Sequence, residues 1–286
     1  FFILVEAKMT RKRVLVTGCS GGLGAEIVRQ YLQLGWRVVA AVTSLDRLGE
    51  MVALMGEPGL SVVAMDVRQA EEVSRVRDEV ESSGGLDVLI LNAGVHECAP
   101  VEAIDFSLAE QVMEVNFFGA LRCVQSFSPL MRRQHSGRII AVSSLSAHVG
   151  LPCDGLYAAS KAALEKMLES LRVELAHFGV GVGVVVPSSF PSDLLGCRPE
   201  RSLDIDSPYS ALLAELMSQE RAGPMATLAS VAQVVVRLSL VDVMDFRVPV
   251  DQPAANVLQK IYRLDESQRA AAIADWSGVT RWLNAH

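Results

Sequence analysis

The sequence predicts an α/β fold: a single-domain, doubly wound parallel sheet. Three observations predict it. Short runs rich in Val, Ile and Leu alternate with longer segments of helical period, and that alternation implies parallel strands joined by helical crossovers. The first run ends in a glycine-rich turn that opens directly into a helical pattern. The fourth ends in Asn92-Ala93-Gly94, at the carboxyl edge where open parallel sheets place their ligands.

Taken in order, residues 13–17 (RVLVT) are the first strand, 18–24 the glycine turn, and a helix follows through Leu34, stopped by Gly35. Strands are expected at 37–42, 61–65 and 87–91, with helices at 47–55 and 69–82 between them. A long helix over 107–133 carries Asn116 and has Pro129 near its end. The fifth strand, 138–142, runs into Ser143-Ser144; a helix over 155–178 and a sixth strand at 181–186 follow. Residues 187–226 are rich in Pro, Ser and acid, with a helix at 208–221, and are read as a C-terminal substrate lid. A helix at 227–240 and a last strand at 247–250 complete the sheet. The end of the chain, 251–286, has helical patches at 254–264 and 267–282 with no assigned role.

Residues 9–286 are read as one domain. Met9-Thr10-Arg11-Lys12 looks like a natural start, which makes 1–8 an upstream extension or remnant without function. Phe1 to Val5 is too short for a signal peptide or a span, and no later apolar stretch reaches span length, so no membrane span is expected. A net charge of −7 argues against nucleic acid and leaves small molecules as partners. The five cysteines are widely spaced, with no Cys-x-x-Cys or Cys/His cluster. Reduced thiols, a cytoplasmic location and no metal are the expectations that follow.

The chemistry is densest in Tyr157-Ala158-Ala159-Ser160-Lys161. Four-residue spacing on a helix puts Tyr157 and Lys161 on one face. An ammonium about 4 Å from a phenol at an effective dielectric near 20 is worth about 4 kcal/mol, or about three pKa units. A phenol so placed exchanges protons near neutral pH.

The glycine turn fits a pyrophosphate, because close backbone approach and a helix N-terminus both favour the anion. Its spacing reads two ways, as Gly18, Gly21, Gly24 or as Gly18, Gly22, Gly24. An acid at the end of the second strand would accept from a ribose 2′-hydroxyl and repel a 2′-phosphate. The strand instead runs out through Thr43 and Ser44, with no acid until Asp46 and with Arg47 close by. NADP(H) is therefore favoured, with NAD(H) the alternative. Asp66, at the end of the third strand, is placed either to accept from an adenine amino group or to cap the next helix.

Assembled, these pieces resemble the short-chain dehydrogenase/reductase family, near its hydroxysteroid and retinol dehydrogenase branch. The resemblance rests on TGCSGGLG (17–24), Asp66-Val67, Asn92-Ala93-Gly94, Asn116 in VNFFGA, Ser143-Ser144, YAASK (157–161) and PSSFPS (187–192). It implies a Rossmann fold and selects the Gly18, Gly22, Gly24 spacing. It implies Tyr157 as general acid/base, Lys161 as the group that lowers its pKa and holds the nicotinamide ribose, and Ser144 as the orienter of the substrate oxygen. Asn116 then supports a proton path through a local helix irregularity. Cofactor contacts are implied for Gly18, Ser20, Gly22, Leu23, Gly24, Thr43, Asp66, Val67, Asn92, Ala93, Gly94, Tyr157, Lys161, Pro187 and Ser192. Ser188 stands where the family usually has Gly, and a side chain there is expected to crowd the cofactor or substrate. Val95, Val149, Leu151, Phe190, Leu194 and Leu195 are candidate pocket walls for a bulky apolar alcohol or ketone, whereas His96 and His148 are left as loop residues. The resemblance also implies a homodimer or homotetramer paired through the helices over 107–133 and 155–178. The alternative from another class is a non-enzymatic dinucleotide sensor; an epimerase or dehydratase is a further one.

Overall fold

The Val- and Ile-rich runs form strands buried on both faces, as a parallel sheet covered by helices requires. The structure, a computed structural model, describes residues 12–190, 207–218 and 226–283. Its strands are β1 (Arg13–Thr17), β2 (Arg37–Val42), β3 (Leu60–Ala64), β4 (Val88–Leu91), β5 (Gly137–Val142), β6 (Val180–Val186) and β7 (Arg247–Pro249). They lie in the order β3-β2-β1-β4-β5-β6-β7, all parallel. Val14 pairs with Val38 on one side and with Val88 on the other. The chain thus changes winding direction between β1 and β4, which opens a crevice at their carboxyl ends.

Helices α1 (Gly22–Gln33) and α7 (Leu228–Leu240) cover one face, burying Ile27, Val28, Tyr31, Val231 and Val235 against it. The Tyr31 hydroxyl donates to Ser239 Oγ at 2.7 Å, so the polar tip of a buried ring is satisfied between the two helices. The other face is covered by α2 (Ala70–Ser82), α4 (Ala120–Gln134) and α5 (Gly155–Ala176), which bury Val76, Phe127, Leu164 and Leu168. Among the described residues no helix is long and apolar enough to cross a membrane.

Three expectations change. The helix expected at 47–55 is a 3₁₀ turn, Gly49–Leu54, whose first residue sits at φ +55°, outside the helical region, where a Cβ would lie 2.1 Å from Ser20 O. The single helix expected at 107–133 is α3 (Phe106–Met113), a π-helical turn (Glu114–Gly119), then α4. Reduced thiols were expected throughout; Cys19, Cys123 and Cys153 are free, but Cys98 is disulfide-bonded. Widely spaced cysteines give no local sequence signal for such a bond.

Beyond β6, α6 (Ser210–Ser218) places Leu212 and Leu213 in a small cluster with Cys153 and Val279, near Cys98 and Trp282. The rest of the expected lid lies outside the described residues. The chain ends in α8 (Gln252–Ile261), capped by Asp251, α9 (Glu266–Ser277), capped by Asp265, and α10 (Thr280–Leu283). Leu168 is fully buried where α5 packs on the sheet. Leu168→Ala is expected to cost about 2–5 kcal/mol, read as a lower denaturation midpoint with an unchanged m-value.

Candidate active site

At the floor of the crevice β1 and β4 are locked together by a threonine. Thr17 Oγ1 donates to Ile90 O at 3.2 Å and accepts from the backbone N–H of Asn92 and of Ala93, both at 3.0 Å. Asn92 Nδ2 answers by donating to Thr17 O (2.9 Å) and Gly18 O (3.0 Å). The Asn92-Ala93-Gly94 loop therefore fixes the shape of the glycine turn. Gly18 has φ +71°, and a Cβ there would lie 2.7 Å from Ala93 Cα. At Gly24 a Cβ would lie 2.3 Å from Gly18 O, so α1 meets the turn backbone to backbone. Gly21 precedes α1 with no side-chain cap, no acid in the first turn, and open space where a Cβ would stand. Such a helix N-terminus fits a phosphate. Leu23 is buried in α1, while Ser20 and Gly22 are part-buried at its mouth.

The polar side chains converge from three elements. Ser143 and Ser144 follow β5, and strand alternation sends them opposite ways. Ser143 Oγ donates to Glu165 Oε1 at 2.5 Å, whereas the Ser144 hydroxyl accepts from Ser146 N at 3.1 Å and lies beside the Tyr157 phenol, whose ionised form it favours. Lys161, one turn along α5, lies 5.7 Å from the Tyr157 ring centre and donates to Val142 O at 2.9 Å. The π turn aims Asn116 at the same place. Its Oδ1 accepts from Val95 N at 2.8 Å, and its Nδ2 donates to Val95 O and Ser160 Oγ, both at 2.9 Å. Ser160 Oγ in turn donates to Tyr157 O. At Gly94 a Cβ would lie 3.4 Å from Asn116 Oδ1 and 3.6 Å from Lys161 Nζ, so this glycine keeps the space beside both open.

The electrostatics differ from the simple pair. Burial, then the Asp154 charge, push the Tyr157 phenol above its ordinary value, while the bond from Ser144 pulls the other way. The expected lowering by Lys161 is not what this arrangement produces, because Nζ turns to the Val142 carbonyl rather than to the phenol. Lys161 itself is pulled down by burial to about 8, opposed by the charge of Glu165.

At the far end of the crevice Thr43 and Arg47 are exposed past β2, and Ser44 Oγ accepts from Asp46 N at 3.2 Å. Asp66 is not a helix cap: Gln69 occupies that position, and the Asp66 carboxylate instead accepts from Arg68 N and from the Nε and Nη2 edge of the Arg68 guanidinium. Val67 is buried against Gly119 of the π turn. On the opposite side Pro187 O accepts from Leu145 N at 3.0 Å. The Ser188 hydroxyl, expected to crowd the site, donates to Asp251 Oδ2 at 2.8 Å. Val149 is buried and Phe190 packs into the cluster shared by α1 and α7, while Val95 and Leu151 are half-buried. Ser192, Leu194 and Leu195 lie outside the described residues.

Three contributors were not legible as site residues. Thr17 looked like a strand end, and Ser160 like motif filler. The third is a pair: His96 Nε2 lies 2.6 Å from Asp154 Oδ1, and the His96 ring stands edge-on to Tyr157 with centres 4.5 Å apart. Asp154 precedes Tyr157 by one helical turn, a usable signal; nothing local ties it to His96.

A family model for short chain dehydrogenase matches residues 12–201. The chain is 36% identical over 208 residues to human 17-beta-hydroxysteroid dehydrogenase type 1, covering 68% of this chain and 63% of that protein. It is 34% identical to bovine retinol dehydrogenase 8, covering 65% of this chain and 61% of that one, so it spans less than two thirds of either relative. Among solved structures, a short chain dehydrogenase from Burkholderia cenocepacia in complex with NADP superposes with a TM-score of 0.72 at 28% identity, covering 93% of this chain and 97% of that one.

Asp154→Asn removes a charge that raises the phenol. Tyrosinate absorbance assigned by difference against the Tyr157→Phe background is expected to move about one to two pH units lower; an unmoved midpoint would refute the coupling.

Proposed function

The chain belongs to the short-chain dehydrogenase family, and on that premise we propose that it is an oxidoreductase interconverting a carbonyl and a secondary alcohol with NADP(H), Tyr157 being the general acid/base. The observation that carries this is the meeting of Ser144, Tyr157 and Lys161 at the carboxyl edge of the sheet, with the Ser144 hydroxyl beside the phenol and Lys161 Nζ 5.7 Å from its ring centre.

In reduction the substrate oxygen sits between the Ser144 hydroxyl and the Tyr157 phenol. Ser144 orients it, and Tyr157 passes its proton to it; oxidation returns that proton to the phenol. A nicotinamide, when bound, supplies or accepts the hydride. A phenol raised by burial is protonated at neutral pH, the state reduction needs, and Lys161 is the cation placed to offset the burial when the proton leaves. Asn116 holds the Val95 backbone and, through Ser160, the Tyr157 turn, and is assigned to the proton path behind Lys161.

Gly18, Ser20, Gly22, Leu23 and Gly24 are assigned to the pyrophosphate, Asp66 and Val67 to the adenine, Asn92 to Gly94 with Lys161 to the nicotinamide ribose, and Pro187 and Ser192 to the carboxamide side. NADP(H) is favoured over NAD(H) because β2 runs out into Thr43 and Ser44 with no carboxylate before Asp46. The names of the human and bovine relatives point to a hydroxysteroid and to retinol, both alcohols on bulky apolar skeletons. A bulky hydrophobic substrate is therefore proposed, a hydroxysteroid or retinoid being the specific candidates. Phe118 and Val173, exposed on the π turn and α5, support pairing of two copies through these helices.

NADPH oxidation against a panel of steroid ketones, retinal and simpler ketones tests the reading, with NADPH expected to bind more tightly than NADH. Tyr157→Phe is expected to lower turnover by about a hundred- to ten-thousandfold while leaving NADPH affinity nearly intact. Near-normal turnover would remove Tyr157 from the chemistry. Lys161→Ala is expected to impair both turnover and NADPH binding.

A further inference from the structure

One turn beyond Lys161, on the same face of α5, lies a carboxylate that the proposed chemistry does not use. The Glu165 side chain is only 3% exposed. Its Oε1 accepts from Ser143 Oγ at 2.5 Å and its Oε2 from Arg247 Nε at 2.7 Å. His148 Nε2 stands 3.2 Å from Oε1, packed against the carboxylate without an aligned hydrogen bond. His148 is itself held by the C-terminal helices: its Nδ1 lies 2.6 Å from the Tyr262 hydroxyl, and Arg269 donates to its carbonyl at 2.7 Å. Strand β5, strand β7 and the end of the chain thus all contribute to fixing one carboxylate.

A buried carboxylate is expensive unless it is bonded and charge-compensated. Arg247 compensates Glu165 directly, and the buried cation one turn earlier on the same face of α5, outside ion-pair distance but within reach of its charge, is Lys161. It is 4% exposed, and the bond to Val142 O is to a neutral carbonyl, which does not hold a proton on a desolvated amine. The charged and titratable groups around the pair are few. On its own helix Lys161 has Tyr157 one turn before it, its Nζ 5.7 Å from that ring centre, and Glu165 one turn after it. Glu165 faces Ser143 and His148 after β5 and Arg247 on β7, and Arg247 is shared with Glu169 at 3.4 Å.

We infer that Glu165 is a positioning residue for the proposed reaction: it is the buried counter-charge that keeps Lys161 an ammonium, held in place by Ser143, Arg247 and the C-terminal helices through His148. The inference rests on the role assigned to Lys161 above. It gives Tyr262 and Arg269, through His148, a part in positioning the charge beside Lys161. Glu165 also works against burial, which by itself pulls the lysine down.

The chain has five lysines, so a full-length protein labelled with ¹³C at lysine Cε resolves Lys161 by NMR and reports its protonation directly, whether or not the protein turns anything over. In Glu165→Gln the Lys161 midpoint is expected to fall by at least about one pH unit. A purely structural Glu165 predicts the opposite, because loosened packing admits water and returns the amine upward toward its ordinary value. In Arg247→Gln, where Glu165 loses a competing cation, the midpoint is expected to rise. An unchanged or raised midpoint in Glu165→Gln overturns the inference; if that variant does not fold, an unchanged or lowered midpoint in Arg247→Gln does so. NADPH binding separates this from the broader reading. Glu165→Gln is expected to bind NADPH at least fivefold more weakly than the parent at pH 8 and equally at pH 6. A parent protein that binds no NADPH sinks the oxidoreductase reading, while the NMR midpoints still decide the role of Glu165.

Discussion

Keeping a charged amine out of water is the constraint on which this architecture turns. Lys161 points into the interface between α5 and the carboxyl ends of β4 and β5, where desolvation opposes its charge. Everything that makes the amine useful has to be supplied by the fold: a carbonyl at the end of β5 to aim it, a glycine at 94 to leave room beside it, and a carboxylate one turn away to offset the desolvation. The sheet provides the rigid frame for all three. Burying Leu164 and Leu168 beneath the same helix fixes how far the polar face of α5 stands from β5.

The same economy shapes the other half of the crevice. A turn that must receive phosphate groups cannot spend its own N–H groups internally, so its shape is imposed from outside. Thr17 and Asn92 do this with five hydrogen bonds among β1, β4 and the turn. Backbone donors at the start of α1 are left facing open space, preorganised before any ligand arrives. The strand order that creates the crevice and the threonine that locks it are consequences of the same β1–β4 pairing.

Most of the sheet was legible in the sequence because parallel strands buried on both sides read as unbroken apolar runs, and glycine punctuates them. Tyr157 and Lys161 were legible as a pair because the helix period puts them on one face, whereas Ser144 was selected over Ser143 only by the resemblance to the family. What stayed hidden depended on distance in sequence. His96 and Asp154 are separated by 58 residues, and the partners of Glu165 come from three other elements. The direction of the phenol's shift was also hidden: a two-charge estimate contains Lys161 but neither the burial nor the Asp154 charge, which push the phenol up. Ser188 illustrates the reverse case. Its side chain looked obstructive only because the Asp251 carboxylate that draws it aside lies 63 residues away.

The π turn at Glu114–Gly119 bears on how such a site tolerates change in length. An α-helix advances about 100° per residue, so one residue accommodated in a wider turn rotates everything after it by about that angle. Val112 before the turn and Val124 and Phe127 after it are all buried. The turn decouples the phase of the two flanking helices, letting each meet the sheet with its own apolar stripe while Asn116 faces inward between them. Shortening this segment by a single residue would leave the composition nearly untouched yet force a choice between aiming the asparagine and seating α4. The catalytic crevice is in that sense less forgiving of a deletion here than of many substitutions.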